Sequence, residues 1–293
     1  MRTGSYAAVL EKSALKRLAR RWLGTPDLHS HFRLAPLVRH AERLRPRGPV
    51  DSLAVLEFGC GDGVNLFELA ARMPIRATGY DLSEPAIQRA RRIADALGIS
   101  TVEFRHEDAT GSNPDRRADL ILLIDFLEHI PEPQAFLTRC DAWLKPGGQI
   151  LISVPAPRYP RVFGRRFANA IGHLVDGYQI EDLAGMAPPG YRLITWKYNT
   201  GVLASALCAL HFRLLGRLRM PLLARLLQVP GLLLSGADWI NGRRVSSSVF
   251  AAFEKPSDHE PSPRSAVPQF FTQTTAAVTP KGGRVFPAPF SSG

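Results

Sequence analysis

Apolar positions recur along this chain with two spacings. Short, nearly continuous runs at 53–58, 75–81, 101–105, 120–124, 149–154, 191–198 and 247–253 read as strands. Between most of them the spacing widens to that of an amphipathic helix. Leu66, Leu69 and Ala70 mark one such segment, running through Arg72, and others cover 85–97 and 133–144 and start at 179–183. Ser83-Glu84-Pro85 is a helix-opening signature with proline at an early position, and Gly98 stops that helix. Strand and helix in alternation predict a parallel sheet covered on both faces. Ligands of such a sheet bind beyond the carboxyl ends of the strands, where the topology switches. The helical period also covers 28–44, until Pro46-Arg47-Gly48-Pro49 breaks it. Upstream, Val9, Leu10, Ala14, Leu15, Leu18 and Trp22 fall at helical spacing with Lys12, Lys16, Arg17, Arg20 and Arg21 largely between them, which predicts a basic amphipathic helix.

The first strand runs into Gly59-Cys60-Gly61-Asp62-Gly63, three glycines at alternate positions before a helix. A bend without side chains lets a ligand lie against backbone, and the helix N–H groups point at whatever sits over it. A dinucleotide fingerprint has its third glycine one residue later and offers the helix to a pyrophosphate. Here acids flank the bend, Glu57 before it and Asp62 within it. Carboxylates repel a pyrophosphate and suit a ligand that carries an ammonium and a sulfonium. Asp81 closes the second strand about 20 residues beyond Gly61, the spacing of an acid that grips ribose hydroxyls. Asp108 and Asp125 also fall at expected strand ends, so separate segments converge on one crevice.

The bend resembles motif I of the class I S-adenosylmethionine-dependent methyltransferases, of the type 11/12 kind that includes quinone-ring and small-molecule O-methyltransferases. The likeness continues in order. Ile75 to Asp81 resembles that family's second strand with its ribose acid, and Phe104 to Ala109 the segment that meets the adenine. Ala118 to Ile130 is similar to the fourth strand and its Glu-His continuation, and Leu144 to Ile152 to the Leu-Lys-Pro-Gly-Gly turn into strand five. The resemblance implies a Rossmann-like α/β fold with seven strands in the order 3-2-1-4-5-7-6, strand seven antiparallel, and S-adenosylmethionine as cofactor. It places the cofactor against Glu57, Gly59, Cys60, Gly61, Gly63, Asp81, Leu82, Asp108, Ala109 and Asp125. Asp125, Glu128 and His129 are similar to the Glu-x-x-Glu-His element of metal-binding quinone-ring O-methyltransferases, with Asp125 in place of the first Glu. Many relatives keep Glu-His here without a metal, and no metal is expected. His129 and His173 are the expected general bases for an oxygen acceptor, since imidazole titrates near neutral pH.

The chain divides into an N-terminal helical arm (1–50), the cofactor core (51–155), an acceptor-side half (156–255) with a leucine- and arginine-rich helical insertion (201–242), and a tail (256–293) whose Pro, Ser, Thr and Gly predict disorder. No uncharged apolar run in the insertion reaches the roughly 20 residues that a membrane span needs. The formal net charge is +11, yet no aromatic-interleaved basic module points to nucleic acid. The expected partner is a small-molecule, glycan or lipid-linked acceptor, with an anionic membrane surface as a second. Three cysteines, Cys60, Cys140 and Cys208, lack metal spacing and predict a reducing compartment, the cytoplasm or its membrane face. Two other functions fit the same pattern: an inactive scaffold on this fold, and a nicotinamide oxidoreductase, against which the glycine spacing and Asp108-Ala109 speak.

Overall fold

A computed structural model describes residues 28–46, 51–114, 117–212 and 246–257. Their elements, in chain order, are α1 (Leu28–Ala41), β1 (Leu53–Phe58), α2 (Val64–Ala70), β2 (Ile75–Asp81), α3 (Glu84–Leu97), β3 (Val102–His106), β4 (Ala118–Ile124), a 3-10 turn (Leu127–His129), α4 (Pro133–Trp143), β5 (Leu144–Pro155), α5 (Tyr159–Phe163), α6 (Arg165–Ala170), α7 (Ile180–Met186), β6 (Arg192–Tyr198), α8 (Val202–Phe212) and β7 (Ser248–Glu254). The expected basic helix at 9–22, the break at 47–49, most of the 201–242 insertion and nearly all of the tail lie outside the described residues.

The seven strands form one sheet in the order β3-β2-β1-β4-β5-β7-β6. Neighbours from β3 to β5 are parallel, and β7 is antiparallel to both β5 and β6. β4 lies in the interior of the sheet, and each of its residues from Ala118 to Ile124 is buried. Helices cover both faces, and this explains the continuous apolar run in place of an alternating one. Two cores result. One packs Leu66, Leu69, Ile87 and Ile93 of α2 and α3 with Leu34 and Leu37 of α1 against Leu120 and Leu122. The other packs Phe136, Leu137 and Cys140 of α4 with Ile180 and Leu183 of α7 against Ile121 and Leu123.

Polar contacts fasten the end of the sheet away from the strand tips. Asp119, buried at the start of β4, accepts the Ala54 N–H at 2.8 Å, and Lys145 Nζ stands 2.9 Å from both of its oxygens. His40 of α1 meets Gln149 Oε1 at 2.7 Å, and Gln149 in turn donates to Glu254. β5 starts earlier than the apolar run suggests, because Leu144 already pairs with Ala118 before the Gly147-Gly148 irregularity. α2 ends at Ala70, two residues short of Arg72, whose guanidinium turns back to Glu68.

Candidate active site

The carboxyl ends of β1, β2 and β4 meet at the glycine bend. Tyr80 O accepts the N–H groups of Gly59 (2.8 Å) and Cys60 (3.0 Å), which ties the bend to β2. Gly63 begins α2 at φ +80, and a Cβ there would lie 2.6 Å from the Phe104 ring, so this position must be bare for both backbone and packing. Gly61, at φ +53, has no heavy atom within 4 Å of where a Cβ would be, so it presents an open face. The closed glycine therefore serves packing, and the open one leaves room for a ligand.

Asp81 sits beside that open face. Its Oδ2 accepts the Gly61 N–H and its Oδ1 the Ser83 N–H, each at 2.7 Å. Each carboxylate oxygen has a second lone pair, so the group is held in place by backbone and can still accept from a diol. Leu82 follows with its side chain 68% exposed, and its carbonyl is fixed by His106 Nε2 at 3.0 Å. Asp108 is exposed and folds back on itself: Oδ1 accepts from Thr110 N–H and Thr110 Oγ, both at 2.8 Å. Ala109 is buried behind it.

Glu57 is fully buried under the bend. Asn65 Nδ2 donates to its Oε1 at 2.5 Å, while Oε2 has no hydrogen-bond partner. Burial pushes its carboxyl up to about 8; the Asn65 bond opposes this, and the charges of Asp81 and Asp62 add to it. Burial likewise pushes the Cys60 thiol up, which makes it packing material and not a nucleophile at neutral pH. Asn65 has no counterpart among the residues singled out from sequence; its place one turn into α2, facing back to β1, follows only from the bend's geometry.

A second group lies beyond β4. Asp125 leaves the strand at φ +48, with its N–H donated to Ser153 O at 2.8 Å. The helical turn starts only at Leu127, so the i, i+3 and i+4 spacing does not put Asp125 on one face with Glu128 and His129. The third member is His173, from the distant loop after α6. Ligand atoms of Glu128, His129 and His173 lie within 4.8 Å of one another. The two imidazole rings meet edge to face at 5.0 Å, and Tyr159 of α5 lies 5.2 Å from the His173 ring. His129 Nδ1 is 3.2 Å from Gly172 O. A carbonyl only accepts, so Nδ1 carries the proton and Nε2 keeps its lone pair. Burial lowers the pKa of both histidines; that of His173 falls to about 4, helped by the charge of His129. Tyr178 locks the turn from below, its hydroxyl donating to Leu127 O at 3.1 Å. Tyr159 was not legible as a neighbour of His173, since nothing in the run Arg158 to Arg166 sets the direction of so short a helix.

Sheet order, glycine bend and strand-end acids together define the class I methyltransferase architecture. A methyltransferase-domain family model matches residues 29–189, more than half of the chain, and the chain belongs to that family. A ubiquinone biosynthesis O-methyltransferase of Leptothrix cholodnii is 32% identical over 118 residues, 40% of this chain and 49% of that protein. The chain thus spans about half the length of the curated relatives it matches. A phosphoethanolamine N-methyltransferase of Haemonchus contortus superposes with a TM-score of 0.57 at 16% identity, over 88% of this chain and 61% of that one. The cyclase SpnF does so with 0.57 at 20% identity, over 78% and 83%. At such identities the likeness speaks for the fold alone.

Proposed function

We propose that this chain transfers a methyl group from S-adenosylmethionine to an oxygen of a small, largely apolar acceptor. The observation that carries the reading is the Asp81 carboxylate held by the Gly61 N–H beside the open face of the bend. The residues fit the cofactor. Glu57 Oε2, buried and without a partner, suits an ammonium, whose charge would favour the ionised carboxylate over the proton it otherwise keeps. Asp81 keeps lone pairs for ribose hydroxyls, and exposed Leu82 offers an apolar face for a base. Asp108 Oδ2 and the backbone at Ala109 suit the edge of an adenine ring, and the start of β4's exit at Asp125 borders the same crevice.

When bound, the cofactor supplies a methyl carbon already activated by the sulfonium charge. What remains for the chain is to align an acceptor oxygen with that carbon and to exclude water. The acceptor's hydroxyl proton would pass to a neutral imidazole of this chain as the oxygen takes up the methyl group and the cofactor's sulfur gives it up as a thioether. His129 Nε2, with its lone pair fixed outward by the Gly172 bond, is placed for this. His173 completes the acceptor side beneath Tyr159.

The names of the curated relatives support an O-methylation of the kind met in ubiquinone biosynthesis. Exposed apolar side chains near the histidines, Ile171 and Leu174, and along α8, Val202, Leu203 and Leu210, suit a greasy or lipid-linked acceptor and contact with a membrane face in the cytoplasm. Among the described residues no helix is long and apolar enough to cross a membrane. The test pairs calorimetry for S-adenosylmethionine with a labelled-methyl assay over phenolic acceptors with and without isoprenoid tails. Saturable cofactor binding with transfer favouring the tailed acceptors is expected; no cofactor binding overturns the reading.

A further inference from the structure

The loop after β3 carries Asp108 and Ala109, the two residues that suit the edge of an adenine ring. Its own bonds give it its shape. Ser112 N–H and Oγ donate to Asp108 O at 2.9 and 2.7 Å, and Asp108 Oδ1 is spent on Thr110. These bonds do not set where the loop stands. Among the described residues β3 closes the sheet on its side, with β2 as its neighbour, so no strand steadies the loop from without. The Glu107 N–H donates to Asp81 O at 3.2 Å and ties the first loop residue to the end of β2. Past that residue, the hold comes from α4, a helix beyond β4 in the chain.

Arg139 of α4 supplies it. Its Nη1 donates to Thr110 O and its Nη2 to Ser112 O, the latter at 2.9 Å. A planar fork of fixed donors fits two carbonyls at once, which the point charge of a lysine does not match. The same guanidinium lies over the Trp143 ring at 5.1 Å, and Trp143 Nε1 donates to Asn113 Oδ1 at 3.2 Å. Trp143 is buried, and its ring stands 5.2 Å from that of Phe58, the last residue of β1 before the glycine bend. Phe58 stacks in turn on Tyr80 at 5.2 Å, whose carbonyl holds the Gly59 and Cys60 N–H groups. Bend and loop are thus referred to one helix, the first through packed rings and the second through guanidinium bonds.

We propose that Arg139, backed by Trp143, is a positioning residue that sets Asp108 and Ala109 against the base of the cofactor, and so selects adenine over a base with a carbonyl in place of the amino group. Asp108 Oδ2, left over by the Thr110 bonds, can accept from an exocyclic amino group. Opposite the carbonyl of hypoxanthine the same oxygen meets another acceptor. That discrimination depends on distance and angle, hence on where the loop stands. Arg139 acts through its two carbonyl bonds and not on the reacting atoms. The role rests on the reading of the crevice as an S-adenosylmethionine site.

The test is calorimetry on the full chain with S-adenosylhomocysteine and S-inosylhomocysteine, which differ only at that edge of the base and need no acceptor. The wild type should favour the adenine compound about tenfold or more, and Arg139→Met should reduce the preference to about threefold or less, mainly by weakening the adenine compound. Arg139 is exposed and methionine keeps an unbranched stem over Trp143, so the fold should survive, which thermal unfolding checks. Arg139→Lys, which keeps the charge without the fork, should fall between the two and carries the same comparison. In an Asp108→Ala background, Arg139→Met should change the preference no further, a coupling that a general loss of stability does not produce. Equal weakening of both compounds by Arg139→Met, or an undiminished preference, overturns the role and leaves the cofactor reading intact, as does a wild type that binds both compounds alike. A wild type that binds neither compound overturns the cofactor reading and the role with it.

Discussion

Replacing Glu57 by glutamine should make the cofactor-free protein less sensitive to alkali. The folded chain holds the carboxyl at about 8, against about 4.5 for an ordinary glutamate, and burial is the main cause. Between those values the folded state keeps a proton that the unfolded chain has released. Stability from this group is therefore fully present below about pH 4.5 and is lost as pH rises through 8. For one proton and this shift, the loss between pH 5 and pH 9 is about 4 kcal/mol. Glutamine keeps an acceptor for Asn65 Nδ2 and has no proton to lose. The lowered pKa values of His129 and His173 act in the opposite sense, raising stability as pH climbs toward 6.5, and they are common to both proteins. The measurement is urea unfolding of wild type and Glu57→Gln at half-unit steps from pH 5 to pH 9. The difference in unfolding free energy should fall in the wild type's disfavour by about 4 kcal/mol. A flat difference over that range would refute the account of a buried, proton-holding carboxyl.

Four further substitutions separate the parts of the site. Gly63→Ala should cost about 2–5 kcal/mol, from a left-handed backbone and a collision with Phe104, whereas Gly61→Ala should cost about 1–2 kcal/mol; thermal unfolding compares them. Gly61→Ala should nonetheless weaken S-adenosylmethionine binding out of proportion to its stability loss, because its methyl enters the open face; calorimetry reads this. Asp81→Asn should raise the cofactor dissociation constant about 10- to 100-fold, the loss of one charge-assisted hydrogen bond. Tyr178→Phe should cost about 1–2 kcal/mol and lower kcat with cofactor affinity unchanged, since it frees the Leu127 carbonyl and loosens the turn carrying Glu128 and His129.

Much of this molecule is visible in its residue pattern. The bounds of β1 and β2 follow from apolar runs that end in Gly59 and Asp81, and Ser83 and Gly98 mark the limits of α3 because capping chemistry is local. The convergence of Gly61 and Asp81 follows from the rule that strand ends share one edge. What the pattern hides is set by distant contacts. The spacing of Asp125, Glu128 and His129 suggests one helical face, but a hydrogen bond to Ser153 on the neighbouring strand turns Asp125 out. His173 reaches Glu128 through a loop whose course depends on Gly172 and Leu174 bonding across to the turn. The three glycines look alike in sequence, and only the position of the Phe104 ring tells Gly63 from Gly61.

Beside the crevice, Thr200 Oγ meets Ser247 Oγ at 2.9 Å and accepts the Ser247 N–H at the same distance, and Asn199 N–H donates to Ser248 O. The chain thus departs after β6 and returns before β7 through a single stitched doorway, next to the Ala156 N–H that bonds Ser247 O. Whatever length of polypeptide hangs from that doorway adds only a slowly growing loop-closure cost to the sheet. Evolution, or an engineer, can therefore exchange the stretch between the two stitched ends while the sheet keeps its register.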